Sequence, residues 1–215
     1  MTRRTGTALL ALGVLVGLAP AARGQAEWLG LDGVKRWVYR DGEGVERSAA
    51  VVRNEPAAGD RPACIVVEEG GSGGTTELWY AGLPDGLALV RKTTRNAAGT
   101  LDWGIVAPCL LLKRPSDKGD RWTYGDRGKG GRERVYEVEH LGTETIEVPA
   151  GRHECIVLRM TWNAGDEPVP NVAPTQVVRT LWLARGTGLV RERVDSVGGP
   201  GGATQWSREL VRVER

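Results

Sequence analysis

The stretch LWLARGTGLVRER, residues 181–193, places Arg185-Gly186-Thr187-Gly188 between two apolar runs. A Gly-rich loop in that position reads either as a phosphate cradle or as a turn between two strands. A second stretch decides between them: LWYAGLPDGLALVRK, residues 78–92, has the same Leu-Trp run before and the same Leu-Val-Arg pattern after. Between its flanks stands a longer loop of different chemistry, Ala81-Gly82-Leu83-Pro84-Asp85-Gly86. A phosphate cradle should not lose its chemistry while its flanks persist. Turn-forming residues between two β-type runs predict a hairpin at both places.

Working outward, the same pairing recurs along the chain. Arg36-Trp37-Val38-Tyr39 matches Arg121-Trp122-Thr123-Tyr124, and PAAGDRPACIVV (residues 56–67) matches PAGRHECIVL (residues 149–158). Gly99-Thr100-Leu101-Asp102-Trp103 matches Gly202-Ala203-Thr204-Gln205-Trp206, and Trp79 precedes Trp103 by the same 24 residues that separate Trp182 from Trp206. Four blocks in one order predict two tandem copies of a unit, residues 28–107 and 108–215. The second carries an insertion, NAGDEPVPNVAP (residues 163–174), whose prolines and glycine suit a long hairpin loop.

Each copy reads as a succession of strands. Short runs rich in β-branched and aromatic residues are cut by Asp41-Gly42, Pro84-Asp85-Gly86, Asn96-Ala97-Ala98-Gly99 and residues 198–202, Gly-Gly-Pro-Gly-Gly. Ile156, Leu158, Met160 and Trp162 alternate with Cys155, Val157, Arg159 and Thr161, a period of two with one apolar face. The expectation is an all-β antiparallel meander of about 11–12 strands. A sheet of that width should curl, giving a curved sheet or half-barrel; two small packed β-barrels or sandwiches are the alternative.

Residues 1–24 read as a secretory signal peptide. Arg3 and Arg4 precede an uncharged run from Ala8 to Ala19, followed by Pro20 and small residues. The run is shorter than the ~20 residues that span a bilayer. The expected localisation is export to the periplasm or the extracellular space, with no transmembrane anchor after cleavage. Removing Arg3, Arg4 and Arg23 leaves 26 basic against 27 acidic residues from an initial 29 and 27, a net charge of −1. With no clustered basic surface in the sequence, nucleic acid is not an expected partner.

Three features then carry a resemblance. Gly119 to Tyr124, Val148 to Cys155 and Trp182 to Glu192 follow the order Gly-x-x-Trp-x-Tyr, Val-Pro-Ala-Gly-x-x-x-Cys and Trp-x-Ala-x-Gly-x-Gly-Leu-Val-x-Glu. In this the second copy resembles TapB-like bacterial exported proteins with a domain of unknown function. The first copy matches more loosely, Val-Pro-Ala-Gly becoming Pro56-Ala57-Ala58-Gly59. The resemblance implies an exported β-rich scaffold, loosely similar to the half-barrels of lipoprotein carriers, and implies no catalytic residues.

Little in the residues themselves marks chemistry. Ser72 in Gly70-Gly71-Ser72-Gly73-Gly74 lacks the following helix that exposes a nucleophilic serine. Residues 125–130, GDRGKG, lack the Ser or Thr and the spacing of a phosphate loop. His153 and Cys155 share a strand face, but with His140 as the one further candidate they form an incomplete metal set. No metal site and no cofactor are expected. Cys64, Cys109 and Cys155 leave at least one thiol unpaired, and whether any two form a disulfide stays open.

Tryptophan is the residue type that stands out: eight, with no phenylalanine. Trp37, Trp79 and Trp103 occupy the places that Trp122, Trp182 and Trp206 occupy in the second copy. These six either form a repeated core or line an apolar cavity, and as ligand-lining candidates they suit a lipid or another apolar small molecule. The expectation is a non-enzymatic exported protein that binds or carries such a ligand. The alternative is a structural or interaction module with an envelope protein as its partner.

Overall fold

The computed structural model describes residues 27–31, 33–58, 62–71, 74–103, 105, 108–113, 116–127, 133–164, 175–198 and 202–215. The expected signal peptide lies outside these residues, as do most of the 163–174 insertion, Ser72 and the Gly-Lys-Gly of residues 128–130. Among the described residues the only helical turn is a short 3-10 turn at Glu27–Leu29.

Everything else of regular structure is strand. The first half gives β1 (Arg36–Asp41), β2 (Glu46–Glu55), β3 (Cys64–Gly71), β4 (Gly74–Leu83), β5 (Gly86–Asn96) and β6 (Gly99–Trp103). After β7 (Cys109–Lys113), the second half gives β8 (Arg121–Arg127), β9 (Glu133–Val148), β10 (Gly151–Ala164), β11 (Thr175–Ala184), β12 (Gly188–Val197) and β13 (Thr204–Glu214). The punctuation anticipated at Asp41-Gly42, Pro84-Asp85-Gly86 and Asn96-Ala97-Ala98-Gly99 falls at turns, while residues 199–201 lie outside the described residues. Asp41 shows why, since its Oδ1 accepts from the backbone N–H of Glu43 (3.1 Å) and of Val45 (2.9 Å), closing the β1–β2 turn.

All 13 strands join one curved antiparallel sheet that does not close into a barrel, in the order β6-β5-β4-β3-β2-β1-β13-β12-β11-β10-β9-β8. The alternative of two separate barrels or sandwiches is not what forms. The halves meet through their outermost strands, β1 and β13, with Trp37 opposite Val213 and Tyr39 opposite Leu210. The sheet edges therefore come from the middle of the chain. The strand count exceeds the expected 11–12 because β7, at the boundary between the halves, pairs with β5. It shares that edge with β6: β7 takes residues 86–89 and β6 takes residues 92–96.

Curling brings β7 beside β8 without a backbone ladder. The indole Nε1 of Trp122 donates to the carbonyl of Leu110 at 2.6 Å across this seam. A weaker contact joins the Cys109 thiol to the Gly125 carbonyl, 3.9 Å apart.

The ladders of the two halves coincide at several points. Cys64 lies opposite Glu55 and Ala81; Cys155 lies opposite Glu144 and Ala184. Trp79 pairs with Arg91 just before a bulge, and Trp182 pairs with Arg191 just before a bulge. A bulge inserts one residue and reverses the alternation beyond it. In both halves that reversal puts the next apolar residue, Leu89 or Leu189, on the inner face.

The concave face holds the main core: Trp37, Tyr39, Ile65, Val67, Leu87, Leu112, Val138, Leu158, Leu181, Leu183 and Leu210 are all buried there. The alternation read in β10 holds on this side, Ile156, Leu158 and Met160 being buried with Trp162 packed against them. Cys155 and Val157 on the opposite side are buried too. Trp182, opposite Val157 in the ladder, helps cover that side, and its indole donates to Glu144 Oε2 at 2.9 Å.

Candidate functional site

Inside the curve lies a cavity of about 250 Å³. Its inner end is built of apolar side chains, among them Leu29, Leu31, Trp37, Leu181, Leu183 and Leu189. This end is plugged by the N-terminal segment. Gly186 N donates to the Glu27 carbonyl at 2.7 Å, and the Trp37 indole donates to the Thr187 carbonyl at 2.6 Å. The Arg-Gly-Thr-Gly loop is thus a hairpin turn, between β11 and β12, and its backbone holds the plug in place.

Close approach explains its second glycine. Gly188 has φ +92°, and a Cβ there would stand 2.5 Å from the Leu29 carbonyl oxygen; one on Gly30 would stand 2.5 Å from that of Thr187. Only residues without a side chain let the two backbones meet this closely.

Toward the other end the lining becomes polar, with Glu69, Thr76, Lys92, Arg179 and Arg208. Strand pairing assembles the charges: Glu192 on β12 stands opposite Leu181 of β11 and Arg208 of β13. Glu192 Oε1 accepts from Arg179 Nε at 2.6 Å and its Oε2 from Arg208 Nε at 2.7 Å. Arg208 Nη2 reaches Glu69 Oε1 at 3.4 Å, and its guanidinium lies 4.7 Å over the ring of Tyr39.

Glu192 is only 4% exposed. Burial by itself would raise its pKa, but the two guanidinium groups prevail and hold it below the ordinary carboxylate value. Burial likewise works against the charge of Arg179 and Arg208, and Glu192 more than restores it in both. Burial raises the hydroxyls of Tyr39 and Tyr80, so both stay neutral beside the network.

The six tryptophans proposed as lining residues separate. Trp37 lines the cavity. Trp79 and Trp182 alternate with the lining residues Leu78, Tyr80, Leu181 and Leu183, which places them on the outer face. There Trp79 lies between Arg53 and Arg91, whose guanidinium carbons stand 5.1 and 5.0 Å from its ring centre. Trp122 serves the β7–β8 seam. Trp206 is 40% exposed, with the Arg208 guanidinium 5.9 Å from its ring. Trp103 pairs with the cavity residue Lys92 in the ladder; its side chain lies outside the described residues.

The sequence reading therefore missed Arg179, Glu192, Arg208, Glu69, Tyr39 and Tyr80. One signal was available: Arg179 sits in phase with Val177, Leu181 and Leu183, a charge at a core position of an alternating strand. For Glu192 the bulge before it hides the phase.

The remaining candidates do not converge. His140 bonds Ser116 Oγ through Nδ1 at 3.1 Å and lies opposite Leu158, whereas His153 lies opposite Ile146. Among the described residues no three His, Cys, Asp or Glu side chains gather as metal ligands. Cys64, Cys109 and Cys155 are buried and form no disulfide. No described helix is long and apolar enough to cross a membrane.

No protein-family model matches the chain, and no curated protein matches it. The naming of TapB-like proteins thus stays a resemblance of motifs. The structure is similar to a lipoprotein, so named by inference, from Parabacteroides distasonis (15% identity, 83% of this chain and 94% of that one, TM-score 0.42). It is also similar to an inferred exported protein with a YmcC-like fold from Bacteroides fragilis (14% identity, 84% and 95%, TM-score 0.45). A third likeness is to the hypothetical lipoprotein YmcC from Escherichia coli (13% identity, 89% and 90%, TM-score 0.36).

Proposed function

We propose that this chain is an exported β-rich protein of the cell envelope that binds an apolar, lipid-like small molecule inside its curved sheet, without catalysing a reaction. The observation that carries this reading is the cavity, whose leucines and Trp37 offer an apolar wall behind a polar entrance. A mostly apolar pocket with a few placed polar groups is the usual form of a small-molecule site. At about 250 Å³ it falls just below the ~300–1,000 Å³ typical of such sites, so it suits one chain rather than a two-chain phospholipid. The two halves read as tandem copies of one unit, a view supported by the coincident ladders around Cys64 and Cys155 and around Trp79 and Trp182.

Native mass spectrometry of protein purified from its own envelope tests the reading. A co-purifying small amphiphile is expected. Leu89 lines the cavity, so Leu89→Trp should fill it and release that ligand while the protein stays folded. Absence of any bound small molecule, together with failure to bind the neutral probe N-phenyl-1-naphthylamine, overturns it.

A further inference from the structure

We infer that the ligand is a single-chain amphiphile with an anionic head, seated on the guanidinium of Arg179. The inference rests on the proposed cavity function and adds the chemistry of the head group.

Arg179 lines the cavity, and a third of its side-chain surface is accessible there although the rest of the residue is enclosed by protein. Its bond to Glu192 uses Nε alone. The four N–H donors on Nη1 and Nη2 have no hydrogen-bond partner among the described residues. These donors are not shut away from solvent but open to the cavity, where a bound oxyanion would take the place of water.

The charge balance points the same way. The enclosed triad has two guanidinium groups on one carboxylate. Glu69, at the edge of the network and 31% exposed, pairs with Arg208 alone among the described residues. Among the described residues Arg179 therefore has one carboxylate partner and shares it with another cation. The planar fork of a guanidinium fits carboxylate or phosphate through two parallel bonds. Deeper in the same cavity the leucines of β11 and β12 and of the N-terminal plug would take the chain. A monocarboxylate is the head favoured by the one excess positive charge of the triad.

The test compares four ten-carbon probes in displacing N-phenyl-1-naphthylamine from the delipidated protein: decanoate, decyl phosphate, decanol and decyltrimethylammonium. Decanoate is expected to bind at least tenfold tighter than decanol, and decyltrimethylammonium weakest. In Arg179→Leu the decanoate affinity should fall to that of decanol, with decanol unchanged. Should that variant not fold, Arg179→Lys keeps the charge without the fork, and several-fold weaker decanoate binding is expected. Decyl phosphate binding tighter than decanoate supports the anionic-head inference and assigns the head to phosphate. Equal binding of decanol and decanoate to the unmodified protein, or a preference that survives Arg179→Leu, overturns the head-group inference and leaves the cavity function standing. Failure of all four probes to displace a bound dye overturns the head-group inference, and failure of the dye itself to bind, with no co-purifying small molecule, overturns both.

Discussion

The Trp37 indole donates to the Thr187 carbonyl at 2.6 Å, tying together residues 150 positions apart in the chain. One belongs to β1 and the other to the turn between β11 and β12. The bond fixes the turn against the N-terminal plug and closes the apolar end of the cavity. In Trp37→Phe most of the apolar ring remains, but the buried carbonyl loses its donor. Such a loss costs about 1–3 kcal/mol, and a lower urea midpoint at unchanged slope is the expected result.

The glycines of that turn should respond unequally to alanine. Gly186 has φ +69° with open space around it, so alanine there meets only the conformational penalty of about 1–2 kcal/mol. Gly188→Ala adds a backbone overlap with Leu29, and overpacking of this kind adds about 1–3 kcal/mol. Thermal unfolding of the two variants should rank Gly188→Ala as clearly the less stable. An equal effect would mean that the plug does not press on the turn.

Trp122→Phe should loosen the β7–β8 seam. Among the described residues the seam has no backbone ladder, and the Trp122 indole bonds across it to the Leu110 carbonyl. Amide exchange in β7 and β8 should quicken by about fivefold, corresponding to one hydrogen bond of ~1 kcal/mol, while the amides of β1 and β13 keep their protection.

Glu192 gives a pH dependence with a defined sign. Its folded pKa lies below the ordinary 4.5, so its stabilising contribution is complete above that value and disappears as pH falls through the lower folded one. Glu192→Gln removes this component from the acid limb of the stability curve. At neutral pH it leaves Arg179 and Arg208 without their shared carboxylate, at a cost of about 3–5 kcal/mol. Denaturant melts of both proteins between pH 7 and pH 3 should therefore converge toward acid.

The Cys155 thiol, pushed up to about 11 by burial, should be inert in the folded protein. N-ethylmaleimide at pH 7 is expected to leave Cys64, Cys109 and Cys155 unmodified in the native state and to label all three in denaturant. Labelling of fewer than three in denaturant without reductant would reveal a disulfide that this structure lacks.

What the sequence determined was local. Asp41-Gly42, Pro84-Asp85-Gly86 and Arg185-Gly186-Thr187-Gly188 fall at hairpin turns because turn chemistry acts within a few residues. The alternation of Ile156, Leu158 and Met160 likewise put the correct face of β10 inward. Only the tertiary structure decided the rest. That β1 joins β13, leaving a seam at β7–β8, depends on contacts between distant segments for which periodicity carries no information. The six tryptophans looked alike because their neighbours in sequence are alike, yet strand phase and sheet curvature sent Trp37 inward and Trp79 and Trp182 outward. The Arg179–Glu192–Arg208 network stayed hidden for the same reason: three ordinary charges on three strands become one enclosed site only when strand pairing aligns them, a bulge re-phases Glu192 and the sheet curls around them.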